Sequence, residues 1–124
     1  MSLDVALYGP ERDQPCRCTC GHEHARRERP CLYDANITHN LNRMADEAGI
    51  YEHVWRPEEI GVTTAGQLAP PLRAGIAQMK ADPSRFRDFD APNGWGTYDD
   101  FVPWLERYLA VCEEHPDATV RVSR

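Results

Sequence analysis

The alternation of apolar and polar residues predicts three short strands in this chain. Over Leu3–Leu7, apolar residues alternate with polar or small ones and stop before Gly9, the pattern of a half-buried strand. Residues 31–35 predict a second strand. Residues 118–122 predict a closing strand in which Val120 and Val122 face the same side. We expect these strands to pair into a small antiparallel or mixed sheet.

The stretch from residue 36 to residue 49 predicts one amphipathic helix, around which we expect the rest of the chain to pack. Its apolar residues follow at steps of four, three and four and therefore share one face; they are Ile37, Leu41, Met44 and Ala48. Thr38 is placed to cap the N-terminus, and Gly49 lies where a left-handed residue ends a helix.

Two more main helices are predicted further along the chain. Thr64 and Gln67 form a capping-box pattern, and the helix that follows either kinks at Pro70-Pro71 or begins there. Thr97 and Asp100 open the last helix in the same way. The expected buried residues are Leu68, Leu72, Ile76 and Met79 in one helix and Phe101, Leu105, Tyr108 and Cys112 in the other.

Together these patterns predict one α+β domain over residues 1–124, a small two-layer structure of about three short strands and three main helices. A polar Cys/His-rich loop at residues 11–30 interrupts it.

Charge and hydropathy narrow the classes of function. The formal net charge of −6 argues against general nucleic-acid binding. The sequence shows neither a signal-peptide pattern nor an apolar stretch of membrane-spanning length. We therefore expect a cytoplasmic protein with no membrane partner, whose cysteines are reduced or metal-bound. A homo-oligomer is compatible with this composition.

The Cys/His-rich loop is a candidate zinc site. Thiolates and imidazoles are the ligands of structural zinc, which takes four. Straight, the segment from Cys16 to His24 would span about 26 Å at the rise of an extended strand, so it must turn to bind one ion. Our preferred ligands are Cys18, Cys20, His22 and Cys31, with His24 as the alternative imidazole and Cys16 in reserve. The competing interpretation is a reduced loop without metal.

Polar residues at the start of the first predicted helix form a candidate binding site. Free backbone N–H groups at a helix N-terminus favour an anion or a polar ligand. Arg binds a carboxylate or phosphate at two points, and Trp stacks on a ring. The expected ligand-binding residues are Asn36, His39, Asn40, Trp55, Arg56, Asn93 and Trp95. Alternatively, Thr38 or Asn36 only caps the helix, and Trp95 plugs the core.

Several stretches resemble a group of small proteins from phages, prophages and bacteria. They are Asn36 to Leu41, Ala48 to Tyr51, Val54 to Pro57, Asn93 to Tyr98, and Pro116 to Arg124, so that the resemblance covers roughly residues 31–124. The group brings no established activity. The resemblance implies that the helix start, Trp55-Arg56 and the Asn93–Tyr98 loop belong to one pocket, and a phage context implies capture of a small host signal molecule.

From the residues we expect a small intracellular, non-enzymatic binding protein that captures a small polar or anionic ligand at a helix N-terminus, with a structural zinc. One alternative is a zinc-stabilised module that binds another protein. The other is a hydrolase-type enzyme with His39 as general base.

Overall fold

The structure is a computed structural model that describes residues 2–9, 12–15, 25–28 and 30–124, with backbone alone at 12–15 and 25–28. Its strands are β1 (Ser2–Tyr8), β2 (Arg12–Pro15), β3 (Ala25–Glu28), β4 (Cys31–Thr38) and β5 (Thr119–Ser123). A three-stranded antiparallel sheet has the order β4-β1-β5, and β2 pairs with β3 in a separate antiparallel ladder.

Five α-helices follow within the described residues. They are α1 (Asn42–Glu47), α2 (Tyr51–Trp55), α3 (Ala65–Ala81), α4 (Pro83–Arg87) and α5 (Tyr98–Glu114), with 3₁₀ turns at His39–Leu41 and Pro57–Ile60. The two long helices, α3 and α5, pack against each other. None of the helices in the described part of the chain is both long and apolar enough to span a bilayer.

The core lies between one face of the sheet and the helices. In β1 the buried residues alternate with exposed or half-buried ones, so Leu3, Val5 and Leu7 point inward. All eight residues expected to be buried in α3 and α5 are buried, and they belong to the same hydrophobic cluster as these three residues of β1. The small two-layer α+β domain predicted from the sequence is confirmed.

The first predicted helix is the main error in the element assignment. Residues 36–38 continue β4, where Thr38 pairs with Ser2 of β1, and only Asn42–Glu47 is α-helical. Strand pairing satisfies backbone groups that an isolated short helix would leave to water, so tertiary pairing overrides the helical pattern. Thr38 still caps the 3₁₀ turn, accepting from the backbone N–H of Asn40 at 3.3 Å.

The capping box predicted at the start of α3 is complete, whereas at the start of α5 the Thr97 half is present and the Asp100 carboxylate accepts from the Thr97 hydroxyl at 3.0 Å. Gln67 Oε1 accepts from the backbone N–H of Thr64 at 3.1 Å, and α3 begins at Ala65 rather than at Pro70. Thr97 accepts from the backbone N–H of Asp100 at 3.3 Å at the start of α5. Each such cap contributes about 1 kcal/mol.

The β2–β3 ladder lies inside the segment that we expected to be a loop. Its register pairs Arg12 with Glu28 and Pro15 with Ala25. Residues 16–24, between these two strands, lie outside the described residues.

Candidate functional site

The strongest candidate site is a concave surface of about 900 Å³ where the end of β4 meets the loop before α5. We call it the Trp95 concavity. The side chains that define it are Asn36, Thr38, His39, Asn40, Asn93 and Trp95. Five of the seven residues expected from the sequence to bind a ligand therefore line one surface.

Trp95 is the exposed aromatic residue of this surface. Its side chain is 72% exposed, which is unusual for so large an apolar group. The loop that carries it is nevertheless fixed: the backbone N–H of Trp95 donates to Asn93 Oδ1 at 3.0 Å, and Asn40 Nδ2 donates to the carbonyl of Trp95 at 2.8 Å. A fixed loop that displays an exposed indole is typical of a contact residue rather than a core plug.

Gly96 brings this loop against the end of β4. Its φ of +117° lies in the region that favours glycine. A Cβ on Gly96 would lie 3.0 Å from Thr38 Cγ2 and 3.2 Å from Asn40 Cβ. The missing side chain is thus what lets the loop backbone approach closely enough for Asn40 to hold Trp95.

His39 is oriented by a hydrogen bond from the core. Trp55 Nε1 donates to His39 Nδ1 at 3.0 Å. An indole N–H can only donate, so Nδ1 carries a lone pair and the ring proton lies on Nε2. His39 therefore offers the concavity an N–H donor. The general-base alternative is disfavoured, because the lone pair that a base needs is already used by Trp55.

Trp55 itself is not part of the concavity, which corrects the expectation that it stacks on a ligand. Its side chain is 2% exposed and packs between Tyr51 and Phe101, with ring centroids 5.7 and 6.1 Å away. It acts on the site indirectly, through His39.

Arg56 is also held elsewhere. Its guanidinium forms an ion pair with Glu59 at 2.8 Å and donates to the Tyr51 hydroxyl at 3.2 Å. The hydrogen bond to Glu59 raises the pKa of Arg56, followed in importance by the one to Tyr51. Arg56 does not line the concavity, so the cation that we expected to receive an anionic ligand is absent from it.

Within the part of the chain that the structure describes, the amide side chains leave both donors and acceptors without a partner. Asn40 uses one N–H on Trp95 and keeps Oδ1, whereas Asn93 uses Oδ1 and keeps its N–H groups. Asn36 is exposed at the rim and forms no side-chain hydrogen bond with the described residues. The concavity is therefore prepared to exchange hydrogen bonds in both directions.

A second concavity of about 860 Å³ adjoins the first and shares His39 and Asn40 with it. It adds charge: Arg43, Asp88 and Asp90 lie along its wall. By contrast, the lining of the Trp95 concavity contains no carboxylate, lysine or arginine among the described residues, and His39 is its one ionisable side chain.

Ser2 also lines the Trp95 concavity, and we did not predict it from the sequence. The β1–β4 register brings it there by pairing Ser2 with Thr38. Its position depends on the register between β1 and β4, and the identity of one small polar residue does not predict that register.

The predicted zinc ligands are described only in part. Cys18, Cys20 and His22 lie outside the described residues, as do Cys16 and His24. Cys31 is exposed at the start of β4, and its thiol donates to the carbonyl of Tyr33 at 3.6 Å. The described residues contain no group of three or more side chains able to hold a metal. Zinc binding stays a prediction.

Comparison of the chain with protein-family models, with curated proteins and with solved structures gave no match. Function is therefore argued from the geometry of this small α+β domain and its concavity.

Proposed function

We propose that this protein is a non-enzymatic binding protein that captures a small polar ligand in the Trp95 concavity. The observation that carries the proposal is the exposed Trp95, whose backbone is held by Asn40 and Asn93, beside amide groups that have no partner among the described residues. An exposed aromatic ring next to a few convergent polar groups is the usual composition of a ligand site.

Pre-organisation supports binding. The side chains of Asn40 and His39 and the backbone of Trp95 are each held by a hydrogen bond in the absence of ligand, which reduces the conformational entropy lost when a ligand binds. The same arrangement supports capture rather than catalysis, because the His39 lone pair is occupied by Trp55.

The proposal is tested by ligand capture. The full chain, at high concentration, is dialysed to equilibrium against the small-molecule fraction of a cell extract, and compounds retained in excess on the protein side are identified by mass spectrometry. We expect a compound retained by the wild type to be lost from Trp95→Ala. Because Trp95 is exposed, the free energy of unfolding of this variant should lie within about 0.5 kcal/mol of the wild-type value.

Ile60→Ala is the matched control, since Ile60 is an exposed apolar residue of the Pro57–Ile60 turn, outside the concavity. It should retain the compound. Equal retention by Trp95→Ala and wild type, or the absence of any retained compound, contradicts the proposal.

A further inference from the structure

We infer that the ligand of the Trp95 concavity is an uncharged carbohydrate, with one sugar ring lying flat against the indole of Trp95. This inference rests on the proposed function and names the chemical class of its ligand. Three independent features carry it: the charge of the surface, the exposed ring and the chemistry of the free polar groups.

The charge of the surface excludes an anionic ligand. The lining combines amides, hydroxyls, two apolar side chains and His39, which is neutral while it accepts from Trp55. Arg56 is paired with Glu59 elsewhere, and the neighbouring Arg43 shares its concavity with Asp88 and Asp90. A phosphate or carboxylate here would lose water without gaining a cation, at a net charge of −6 on the chain.

The exposed ring selects a ligand with a flat apolar face. A pyranose ring has such a face, formed by its axial C–H groups, and an indole offers a large rigid surface against which to bury it. Trp95 is presented with its loop already fixed at both the N–H and the carbonyl of the same residue. The concavity, of about 900 Å³, has room for more than one sugar ring.

The free polar groups match hydroxyls. Asn40 offers an acceptor, Asn93 offers donors, and the exposed Asn36 amide offers both. A sugar hydroxyl both donates and accepts, so it can satisfy either kind of partner around the rim of the ring. His39 adds a donor through Nε2–H. The mixture thus suits a ligand bordered by hydroxyls.

The experiment follows the Trp95 indole N–H signal of the full, isotope-labelled chain by NMR during titration. The probes are neutral di- and trisaccharides of glucose, galactose, mannose and N-acetylglucosamine, and the comparison compounds are adenosine and glucose 6-phosphate. We expect at least one neutral sugar to shift this signal, with a dissociation constant on the order of 1 mM for so open a site.

Ligand-observed saturation transfer provides the readout for the variants, since one of them lacks the indole. Trp95→Ala should weaken sugar binding at least tenfold and Asn36→Ala several-fold, while Ile60→Ala should bind like wild type. Added salt should leave binding unchanged, because an uncharged ligand is not screened.

The inference is overturned if no neutral sugar binds, or if adenosine or glucose 6-phosphate binds more tightly than every sugar. Its failure is distinguishable from failure of the proposed function. If a compound that is not a sugar binds and its binding requires Trp95, the carbohydrate inference is wrong while the proposed function stands. Equal sugar binding by Trp95→Ala and wild type refutes the placement of the sugar on Trp95.

Discussion

At the scale of single residues, glycine positions decide how the candidate site is assembled. Gly94 and Gly96 flank Trp95, and both have positive φ, +77° and +117°. They differ in their surroundings, because a Cβ on Gly94 would meet nothing within 4 Å whereas a Cβ on Gly96 would press on Thr38 and Asn40. A side chain at Gly94 would therefore meet the cost of the positive φ alone, whereas one at Gly96 would meet both the positive φ and the contact with β4.

Gly96→Ala should destabilise the protein by about 1–3 kcal/mol. The new methyl group would be strained by the positive φ and would also lie only 3.0 Å from Thr38. Gly94→Ala should cost only about 1 kcal/mol, from φ alone. Urea unfolding measures both, and the Trp95 indole N–H signal should move in Gly96→Ala. Equal costs for the two variants would show that the contact with β4 is not tight.

The Trp55–His39 hydrogen bond is the other residue-scale feature that the sequence did not reveal. Trp55 was expected to contact the ligand, yet it is buried in the core and its indole N–H donates to His39. Periodicity alone cannot tell a buried Trp from an exposed one when both lie in short segments. The contact depends on how α2 packs against the turn at His39–Leu41.

At the scale of elements, β4 is longer than its sequence suggests and replaces the first turn of the predicted helix. Asn36 and Ile37 have helical spacing with the residues that follow, but they pair with Asp4 and Leu3 of β1. The apolar residue Ile37 satisfies both patterns, since it is inward-facing in the strand. The partner strand decided between the two.

The junction between α3 and α2 depends on a helical glycine. A Cβ on Gly75 would lie 2.5 Å from Ile50 Cγ2, and Ile50 is buried. In an exposed helix Gly→Ala stabilises by about 1 kcal/mol, but here the methyl group overpacks the core. Gly75→Ala should therefore destabilise by about 1–3 kcal/mol, measured by urea unfolding.

The Ile50→Ala background is the control for this prediction. Truncating Ile50 removes the atoms that Gly75→Ala would strike, so the double variant should lose much less than the sum of the two single losses. Additive losses would mean that the two residues do not press on each other.

At the scale of the whole molecule, the buried end of α5 makes stability depend on alkaline pH. Burial raises the pKa of Cys112 from 9.0 to about 12 and raises that of Tyr108 above 10.0. From pH 9 upward the unfolded chain releases the Cys112 proton while the folded chain retains it to about pH 12. Stability contributed by the protonated thiol is therefore complete below pH 9 and lost between pH 9 and 12.

The free energy of unfolding should fall by about 1 kcal/mol between pH 9 and 10, measured by urea unfolding at fixed ionic strength. Cys112→Ala should flatten this slope. Ile60→Ala, which alters an exposed residue that does not titrate, should leave it unchanged. An identical slope in Cys112→Ala and wild type would assign the alkaline loss to other groups.

The zinc prediction also belongs to the whole molecule. Residues 16–24, which contain three cysteines and two histidines, follow β2 and precede β3 in the sequence. Protein purified without chelator should contain stoichiometric zinc, and EDTA should lower its melting temperature. Cys18→Ser and Cys31→Ser should each reduce the zinc content. Metal-free protein whose melting is unaffected by added zinc would contradict the prediction.

The candidate site was predictable in its residue types and less so in its geometry. Five of the residues expected to bind a ligand do line one concavity: Asn36, His39, Asn40, Asn93 and Trp95. Trp55 and Arg56 were grouped with them because Trp can stack on a ring, Arg can bind an anion at two points, and the resemblance implied a shared pocket. In the structure, one is core and the other is an ion-paired surface residue, because burial and pairing depend on neighbouring elements.

The sequence by itself determined the inward face of β1, the capped starts of α3 and α5, and the apolar stripes that bury these helices against the sheet. Those features are local, since alternation, helical spacing and caps depend on residues within one or two turns. Only the tertiary structure decided where β4 ends, that Gly96 docks the Trp95 loop on β4, and that Trp55 fixes His39. These contacts join residues far apart in the chain, so strand register and packing set them.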